Sequence, residues 1–342
     1  MFIPSHVLHL IETVKCLSVK RLLNASSIFL SFYLSRLLRR PILWGQPISV
    51  SIEPTTSCNL RCPECPSGLR AFSRPTGMLK TDFFSSLLQE IAPTTMAINF
   101  YFQGEPFLNK QLPEMIRQAA DKRIYTATST NAHFLDSSTA RRTVLSGLHR
   151  LIISIDGTTQ ETYEQYRVEG NLEKVIEGTK NIIHWKKELK SATPHLIFQF
   201  LVVRPNEHQI QDVLKLAKEL GVDEVRFKTA QVYDFENGNP LIPHNEKYAR
   251  YRQLPSGKWA IKNKLLNHCW RMWQGCVITW NGAVVPCCFD KDAQHQLGKF
   301  PDKSFTEIWE SPAYKHFRSA VLTDRQSIDI CKNCTEGTTV WA

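Results

Sequence analysis

The spacing of hydrophobic residues changes twice along the chain. In the first 45 residues, Leu, Phe and Tyr recur at helical spacing between Leu22 and Leu38, and Pro41 follows. From Ile48 onward, short apolar runs alternate with longer amphipathic stretches. After about residue 232 this alternation stops, and Gly, Asn and Pro become frequent. The pattern predicts a helical arm, a regular α/β body and a loop-rich linker that leads into the rest of the chain.

Short apolar runs in the body predict six strands: Ile48–Ile52, Ala97–Phe102, Ile124–Thr128, Leu151–Ile155, Leu196–Val203 and Glu224–Lys228. The amphipathic stretches between them predict five helices: Asp82–Ile91, Leu112–Lys122, Ser137–Leu145, Leu172–Leu189 and Gln209–Leu220. Strict alternation indicates parallel strands joined by crossover helices. Because six strands are too few for the closed eight-stranded barrel, we expect an α/β fold with an open or partial (β/α)6 barrel.

Four segments follow from these changes in pattern. They are an amphipathic basic arm at 1–45, the barrel at 46–232, a linker at 233–268 and a small cysteine-rich C-terminal extension at 269–342. The extension has few apolar runs, and only one short helix is predicted there, at Phe305–Trp309. We therefore expect it to depend on a metal for its fold.

Composition and charge exclude several classes of protein. In 342 residues, 42% are hydrophobic and 22% charged, which excludes a disordered chain, a collagen-like fibre and a small disulfide scaffold. Half of the formal +10 lies in residues 1–40, where six basic residues face only Glu12. The arm could rest on anionic lipid or pack against the body. No nucleic-acid partner is expected, because no basic patch interleaved with aromatic residues accompanies the arm.

The ten cysteines are the main chemical signal. The uncharged stretch 22–35 is too short to span a bilayer, which needs about 20 residues, and no signal cleavage site follows it. We therefore expect a cytoplasmic protein, with membrane association through the arm as the alternative. In that compartment clustered cysteines indicate metal binding more often than disulfides.

Cys58, Cys62 and Cys65 form a knot directly after the first predicted strand. Four ligands would close a zinc site or a cubane cluster, but no fourth Cys or His lies nearby in sequence. A cubane held by three thiolates keeps one iron free for a small molecule. The alternative is a structural zinc site that borrows a distant ligand. Parallel α/β folds bind their ligands at the carboxyl ends of strands, and this position favours the first interpretation.

The knot resembles the Cys-x3-Cys-x2-Cys motif of the radical S-adenosylmethionine (SAM) superfamily. This resemblance implies a 4Fe–4S cluster on Cys58, Cys62 and Cys65 whose fourth iron binds the amino and carboxylate groups of SAM. It also implies that polar groups at the ends of strands two to four, together with one arginine, contact SAM. These residues are Gln103, Gly104, Glu105, Pro106, Ser129, Asn131, Ser154, Asp156 and Arg167. Two positions depart from the family pattern: Gln103 replaces a glycine, and Glu64 replaces a residue that is often aromatic and packs near adenine.

The C-terminal extension resembles the SPASM/twitch domains of the same superfamily. The resemblance implies one auxiliary 4Fe–4S cluster on four thiolates: Cys269, Cys287, Cys331 and Cys334. A zinc ribbon held by the same four residues is the alternative. Cys276 and Cys288 are spare, either of them could substitute as a ligand, and Cys16 is expected to be inert.

As a whole, the resemblance implies a radical SAM oxidoreductase. Its reduced cluster would cleave SAM to a 5′-deoxyadenosyl radical that abstracts hydrogen from a substrate, with electrons from a donor such as a flavodoxin or ferredoxin. The substrate would be a peptide, protein or small molecule, and family analogy favours a peptide or protein. A non-catalytic iron–sulfur or zinc-binding module is the alternative. The sequence identifies no catalytic side chain beyond the cofactor ligands.

Overall fold

The computed structural model describes residues 11–338. The first ten residues of the predicted arm and the last four of the extension lie outside the described residues. The architecture is a mixed α/β fold with one nine-stranded sheet and a separate two-stranded hairpin.

Six parallel strands form the centre of the molecule, and they pair in chain order, as predicted. Their bounds are β1 Ser49–Ile52, β2 Ala97–Asn99, β3 Tyr125–Thr130, β4 Arg150–Ser154, β5 His195–Val202 and β6 Glu224–Thr229. Each strand pairs with the next in a parallel register. The carboxyl ends of all six strands therefore lie along one rim.

Helices pack on the outside of this sheet. Between residues 19 and 230 they are α1 Val19–Leu38, α2 Pro66–Leu69, α3 Thr81–Ile91, α4 Leu112–Asp121, α5 Ser137–Leu145, α6 Gln160–Tyr166, α7 Leu172–Glu188 and α8 Ile210–Leu220, with 3-10 turns at Pro106–Leu108 and Glu207–Gln209. Gly221 ends α8 at φ +83°, the left-handed conformation that favours glycine. The sequence analysis missed α6, whose seven residues are too few to show a clear period.

The sequence analysis expected the C-terminal extension to have few apolar runs and only one short helix, and this prediction was wrong. Three of its strands extend the main sheet, where β9 Gly275–Ile278 pairs parallel with β1, and β10 Ala283–Val285 and β11 Gly298–Lys299 follow antiparallel. The linker also forms a hairpin, β7 Tyr251–Gln253 and β8 Trp259–Ile261. Four helices and one 3-10 turn complete this part: α9 Arg271–Gln274, α10 Phe305–Trp309, α11 Pro312–Asp324, α12 Asp329–Lys332 and the turn Arg325–Ser327.

Aromatic side chains of the extension form part of the main hydrophobic core. Trp273 and Trp309 are fully buried, and the Arg318 guanidinium lies 4.2 Å from the ring centre of Trp309. The prediction counted apolar runs and so undervalued isolated tryptophans, which each bury a large area. Trp273 also donates to the carbonyl of Ile42 at 2.8 Å, which ties the extension to the segment before β1.

One face of the N-terminal helix α1 packs against the body, as the second interpretation of the arm proposed. Ile28 and Phe32 are buried, and the Phe32 ring lies edge-on to Trp270 and Trp273. Arg21 is buried as well, and its guanidinium donates to backbone carbonyls, including that of Ala92 at 2.9 Å. Across residues 11–338, no helix combines the length and apolarity needed to cross a membrane.

Replacing Phe32 by alanine should lower the free energy of unfolding by about 3–5 kcal/mol, because a fully buried ring leaves a cavity. Leu30→Ala on the same helix is the matched control, since Leu30 is 58% exposed and its loss should change stability by less than about 0.5 kcal/mol. Denaturant titration measures both. Equal losses for the two variants would contradict the packing described here.

Candidate active site

The loop between β1 and α2 carries three thiols that line one cavity. Cys58, Cys62 and Cys65 all face this space of about 240 Å³ at the rim of the sheet. The short helix α2 lies directly on the loop, since a Cβ atom on Gly68 would lie 2.6 Å from the Cys62 nitrogen. The backbone therefore fixes the loop tightly, and the three thiols share a single environment.

The structure shows no preformed site for a single metal ion at these thiols. Among residues 11–338, no group of three or more His, Cys, Asp or Glu side chains is placed to hold one ion. Burial raises the pKa of Cys58 to about 12 and also raises the pKa of Cys62. Three soft sulfur donors beside an open cavity fit an iron–sulfur cluster that keeps one side free for a ligand.

Among the described residues, Glu105 is the only acidic one that lines this cavity, and its carboxylate is fully engaged within the protein. It accepts hydrogen bonds from Thr130 Oγ1 at 2.7 Å and from the backbone N–H groups of Asn131 at 2.7 Å and Phe107 at 3.1 Å. Burial raises the pKa of Glu105, and these three donors oppose the shift. Glu105 thus ties the end of β2 to the end of β3 and does not supply a fourth ligand.

The residues beside Glu105 differ in their relation to the cavity. Gly104 lines it with φ +74°, and a Cβ atom there would lie 2.3 Å from the carbonyl oxygen of Thr55. Gln103 and Pro106 are buried but do not line the cavity. Gln103 Oε1 has no hydrogen-bond partner among the described residues. Of this tetrapeptide, Gly104 and Glu105 are therefore the residues that face the cavity.

Unpaired polar groups line the rest of the rim. The hydroxyls of Ser129 and Ser154 line the cavity and make no hydrogen bond to any residue from 11 to 338. Asn131 Nδ2 lies 2.8 Å from Asn59 Oδ1 and 4.0 Å from Cys58 Sγ. The two free hydroxyls can bind a polar ligand that reaches the thiols.

Arg167 faces the thiols and is held by Asp156. Its Nε donates to Asp156 Oδ2 at 2.5 Å, and its Nη1 lies 3.8 Å from Cys62 Sγ. Asp156 is fully buried and also accepts from the Leu201 N–H at 2.7 Å. Burial opposes the charge, but Asp156 and Cys62 hold the pKa of Arg167 well above its usual value. Asp156 does not line the cavity, so it positions Arg167.

Sequence reasoning missed the aromatic wall of the site. Tyr101, Phe102 and Tyr166 line the cavity, and only their places after β2 and before Arg167 could have indicated this. Glu64 points away from the cavity. It accepts from the Tyr233 N–H at 2.9 Å and from Asn239 Nδ2 at 3.3 Å, so it holds the linker.

A second group of thiols lies in the C-terminal extension. Cys269, Cys331 and Cys334 surround Arg325, whose Nη2 donates to Cys334 Sγ at 3.4 Å. Burial lowers the pKa of Arg325, but the three sulfurs raise it more. Cys287 belongs to the same neighbourhood, because the charges of Cys269, Cys288 and Cys334 add to burial in raising its pKa well above the usual value. The four predicted cysteines thus come together.

The two spare cysteines occupy different places. Cys276 is buried beside Tyr314 and Arg318, and burial raises its pKa to about 12. Cys288 lies beside Arg271 at the edge of the tail thiols. Both line a second cavity of about 270 Å³, together with Cys287.

This second cavity lies between the two groups of thiols. Tyr101 and Phe102 line both cavities and so form their common wall. The remaining lining comes from β1, β2, β5, β6 and the extension, so the sheet curls until distant strands face one space.

Comparisons with known proteins identify two domains in the chain. A family model of the radical SAM superfamily matches residues 52–217, and SPASM, an iron–sulfur cluster-binding domain, matches residues 269–335. An AdoMet-dependent heme synthase of Methanosarcina barkeri is 29% identical over 302 residues, which is 78% of this chain and 82% of that protein. A PqqA peptide cyclase of Granulibacter bethesdensis is 23% identical over 319 residues, covering 86% and 81%.

Two solved structures share the fold. Streptococcus suis SuiB bound to S-adenosylmethionine aligns with a TM-score of 0.61 and 15% identity over 86% of this chain and 73% of that one. BtrN in complex with AdoMet and 2-DOIA aligns with a TM-score of 0.54 and 17% identity over 86% and 95%.

Iron analysis can test both groups of thiols. We expect about eight irons per reconstituted chain, because seven cysteines in two groups suit two 4Fe–4S clusters. Replacing Cys58, Cys62 and Cys65 by alanine should leave about four irons, and Cys331→Ala should lower the iron of the tail. Cys276→Ala is the control and should keep about eight irons, since Cys276 packs against Tyr314 and Arg318. Unchanged iron in the triple variant would refute the loop site.

Proposed function

This chain belongs to the radical SAM superfamily and carries a SPASM domain, and from this premise we propose that it modifies a peptide substrate held between its two groups of thiols. The superfamily makes it an enzyme that uses SAM and a 4Fe–4S cluster, and the SPASM domain binds iron–sulfur. The observation that carries the proposal is the second cavity, which shares Tyr101 and Phe102 with the thiol-lined one. The peptide class is supported by similarity to a PqqA peptide cyclase.

In this proposal Cys58, Cys62 and Cys65 hold the SAM-binding cluster, and Cys269, Cys287, Cys331 and Cys334 hold one auxiliary cluster. The bound cluster and SAM supply a 5′-deoxyadenosyl radical that abstracts hydrogen from the substrate. We expect a one-electron donor such as a flavodoxin or ferredoxin to reduce the SAM-binding cluster.

The chain's own residues bind and orient SAM. Arg167, fixed by Asp156 at 2.5 Å, offers its remaining N–H groups to the methionyl carboxylate. The free hydroxyls of Ser129 and Ser154 and the amide of Asn131 face the same cavity and can bind the polar parts of SAM. Gly104 allows the ligand to approach the backbone, and Glu105 holds the ends of β2 and β3 together. Tyr101 and Phe102 line both cavities, so they would flank the place where SAM and the substrate meet.

Anaerobic reconstitution with dithionite and SAM tests the proposal. The wild-type protein should form 5′-deoxyadenosine, and Arg167→Met should lower the rate by about 10- to 100-fold, because a charged hydrogen bond to SAM is lost. Arg204→Met, which removes an arginine bonded to the carbonyl of Ile242, is the control and should keep the rate. Peptides encoded beside the gene should change mass when added. Formation of 5′-deoxyadenosine with a mass change only in small molecules would refute the peptide substrate.

For the helix α1 we propose contact with an anionic lipid surface. Val19, Leu23, Leu30 and Leu37 recur every four or seven residues and form a stripe opposite the buried face, with Leu37 78% exposed. Besides the buried Arg21, five basic residues lie along this arm: Lys15, Lys20, Arg36, Arg39 and Arg40. A second copy of the chain would bring like charges together, whereas anionic lipid matches both the apolar stripe and the charge.

Vesicle flotation tests this contact with the whole protein. Vesicles containing about a third phosphatidylserine should carry the protein, and neutral vesicles should not. Replacing Leu23 and Leu30 by glutamate should lower binding at least tenfold, because two apolar side chains are lost and two charges are repelled. Leu145→Glu with Leu214→Glu, two similarly exposed leucines on α5 and α8, is the matched control. Equal flotation of the two double variants would refute the proposal.

A further inference from the structure

Lys228 differs from the other charged groups around the second cavity. It lies on β6 and lines the cavity, yet it makes no hydrogen bond or ion pair to any residue between 11 and 338. Arg226, two residues earlier on the same strand, donates to both oxygens of Glu224 at 2.6 and 3.0 Å. β6 thus carries one arginine that is paired with a carboxylate and one lysine that lines the cavity without a partner among the described residues.

The second cation that lines the cavity, Arg271, is already paired with a residue of the extension. The Arg271 guanidinium contacts the carboxylate of Glu336, which is the only acidic residue that the described part of the chain contributes to the lining. Burial opposes its charge, but Cys288, Glu336 and Cys269 raise the pKa of Arg271. Arg271 is therefore paired within the extension, whereas Lys228 has no partner among the described residues.

Neutral polar side chains complete the lining near Lys228. The amides of Asn99 on β2 and Gln199 on β5 face the cavity, and neither side chain hydrogen-bonds to a described residue. An amide side chain both donates and accepts, so it can pair with the N–H and C=O groups of a peptide backbone. An unpaired ammonium beside unpaired amides suits a peptide that carries a carboxylate.

We propose that Lys228 binds a carboxylate of the substrate, so that the substrate is an acidic peptide whose Asp or Glu side chain enters the cavity between the two groups of thiols. This inference rests on the proposed function, because it assigns the second cavity to the substrate. Lys228 is exposed at the open side of the cavity, and an ammonium–carboxylate hydrogen bond is stronger than a neutral one. The pair would orient the peptide against the wall formed by Tyr101 and Phe102.

Two small probes test the subsite on the reconstituted holoenzyme with SAM. N-acetylglutamate N-methylamide and its glutamine counterpart have nearly the same shape and differ in charge. Equilibrium dialysis should show that the wild-type protein binds the glutamate probe about 10- to 100-fold more tightly. Lys228→Met should reduce this preference to less than about twofold, and Lys228→Arg should retain most of it. Lys215→Met, on the outer face of α8, is the matched control and should keep the full preference.

Three results would overturn the inference. They are equal affinity of the wild-type protein for the two probes, a preference that survives Lys228→Met, and no detectable binding of either probe at tens of millimolar. Formation of 5′-deoxyadenosine by the same preparations, measured without any probe, reports on the proposed function separately. A preparation that cleaves SAM but ignores the charge of the probe would refute the subsite alone. A thermal melt of Lys228→Met that matches the wild type excludes misfolding as the cause.

Discussion

The buried ion pair between Glu53 and Arg74 joins the three parts of the molecule that must cooperate. Glu53 follows β1 and is fully buried, and both of its oxygens accept from Arg74, at 2.6 and 2.8 Å. The same carboxylate accepts from the Trp280 N–H at 3.3 Å, and Arg74 Nε donates to the carbonyl of Lys291 at 3.3 Å. Removing either partner would leave a buried charge uncompensated. The pair therefore fixes the end of the first strand, the loop after the three cysteines and the C-terminal extension in one arrangement.

This arrangement decides where the common wall of the two cavities stands. The Arg74 guanidinium lies 4.6 Å from the ring centre of Phe72 and 5.6 Å from that of Phe102, which lines both cavities. Asp292 of the extension accepts from the Ser73 N–H at 2.9 Å, so the loop is held from the other side as well. One charged contact thus couples the extension to the cysteine loop. It also explains why a domain with its own thiols packs as part of the barrel.

The parts of the fold that could be predicted are the strands and helices with a regular spacing of hydrophobic residues. Alternating strands and helices imply a parallel sheet, and chain order then places Ser129, Ser154 and the three loop cysteines on one rim. The pairing of β9 with β1 was not predictable, because it joins residues more than 220 positions apart. Its basis is a close backbone approach: a Cβ atom on Gly275 would lie 1.8 Å from the carbonyl oxygen of Ser49. A lone glycine in sequence carries no sign of that contact.

Within the site, the direction in which each side chain points could not be predicted from the sequence either. Ser154 and Asp156 are two residues apart, yet Ser154 faces the cavity while Asp156 faces Arg167 and the Leu201 N–H. The strand ends at Ser154, so the alternation of faces that would place Asp156 no longer applies. Gln103 illustrates the same point. It stands at the position in the chain that the family motif indicates, but its side chain is buried and does not line the cavity.

Charge balance relates the two groups of thiols to each other. Each group has an arginine beside it, Arg167 at Cys62 and Arg325 at Cys334, and each arginine is held by acceptors that do not belong to the thiols. Asp156 holds Arg167, and the carbonyls of His268 and Glu336 hold Arg325. Buried sulfurs that bind iron carry negative charge, and a cation fixed nearby lowers the cost of placing that charge in a dry interior. The fold therefore places an arginine beside each group of thiols, while the amides of Asn99 and Gln199 in the second cavity make no hydrogen bond to a described residue.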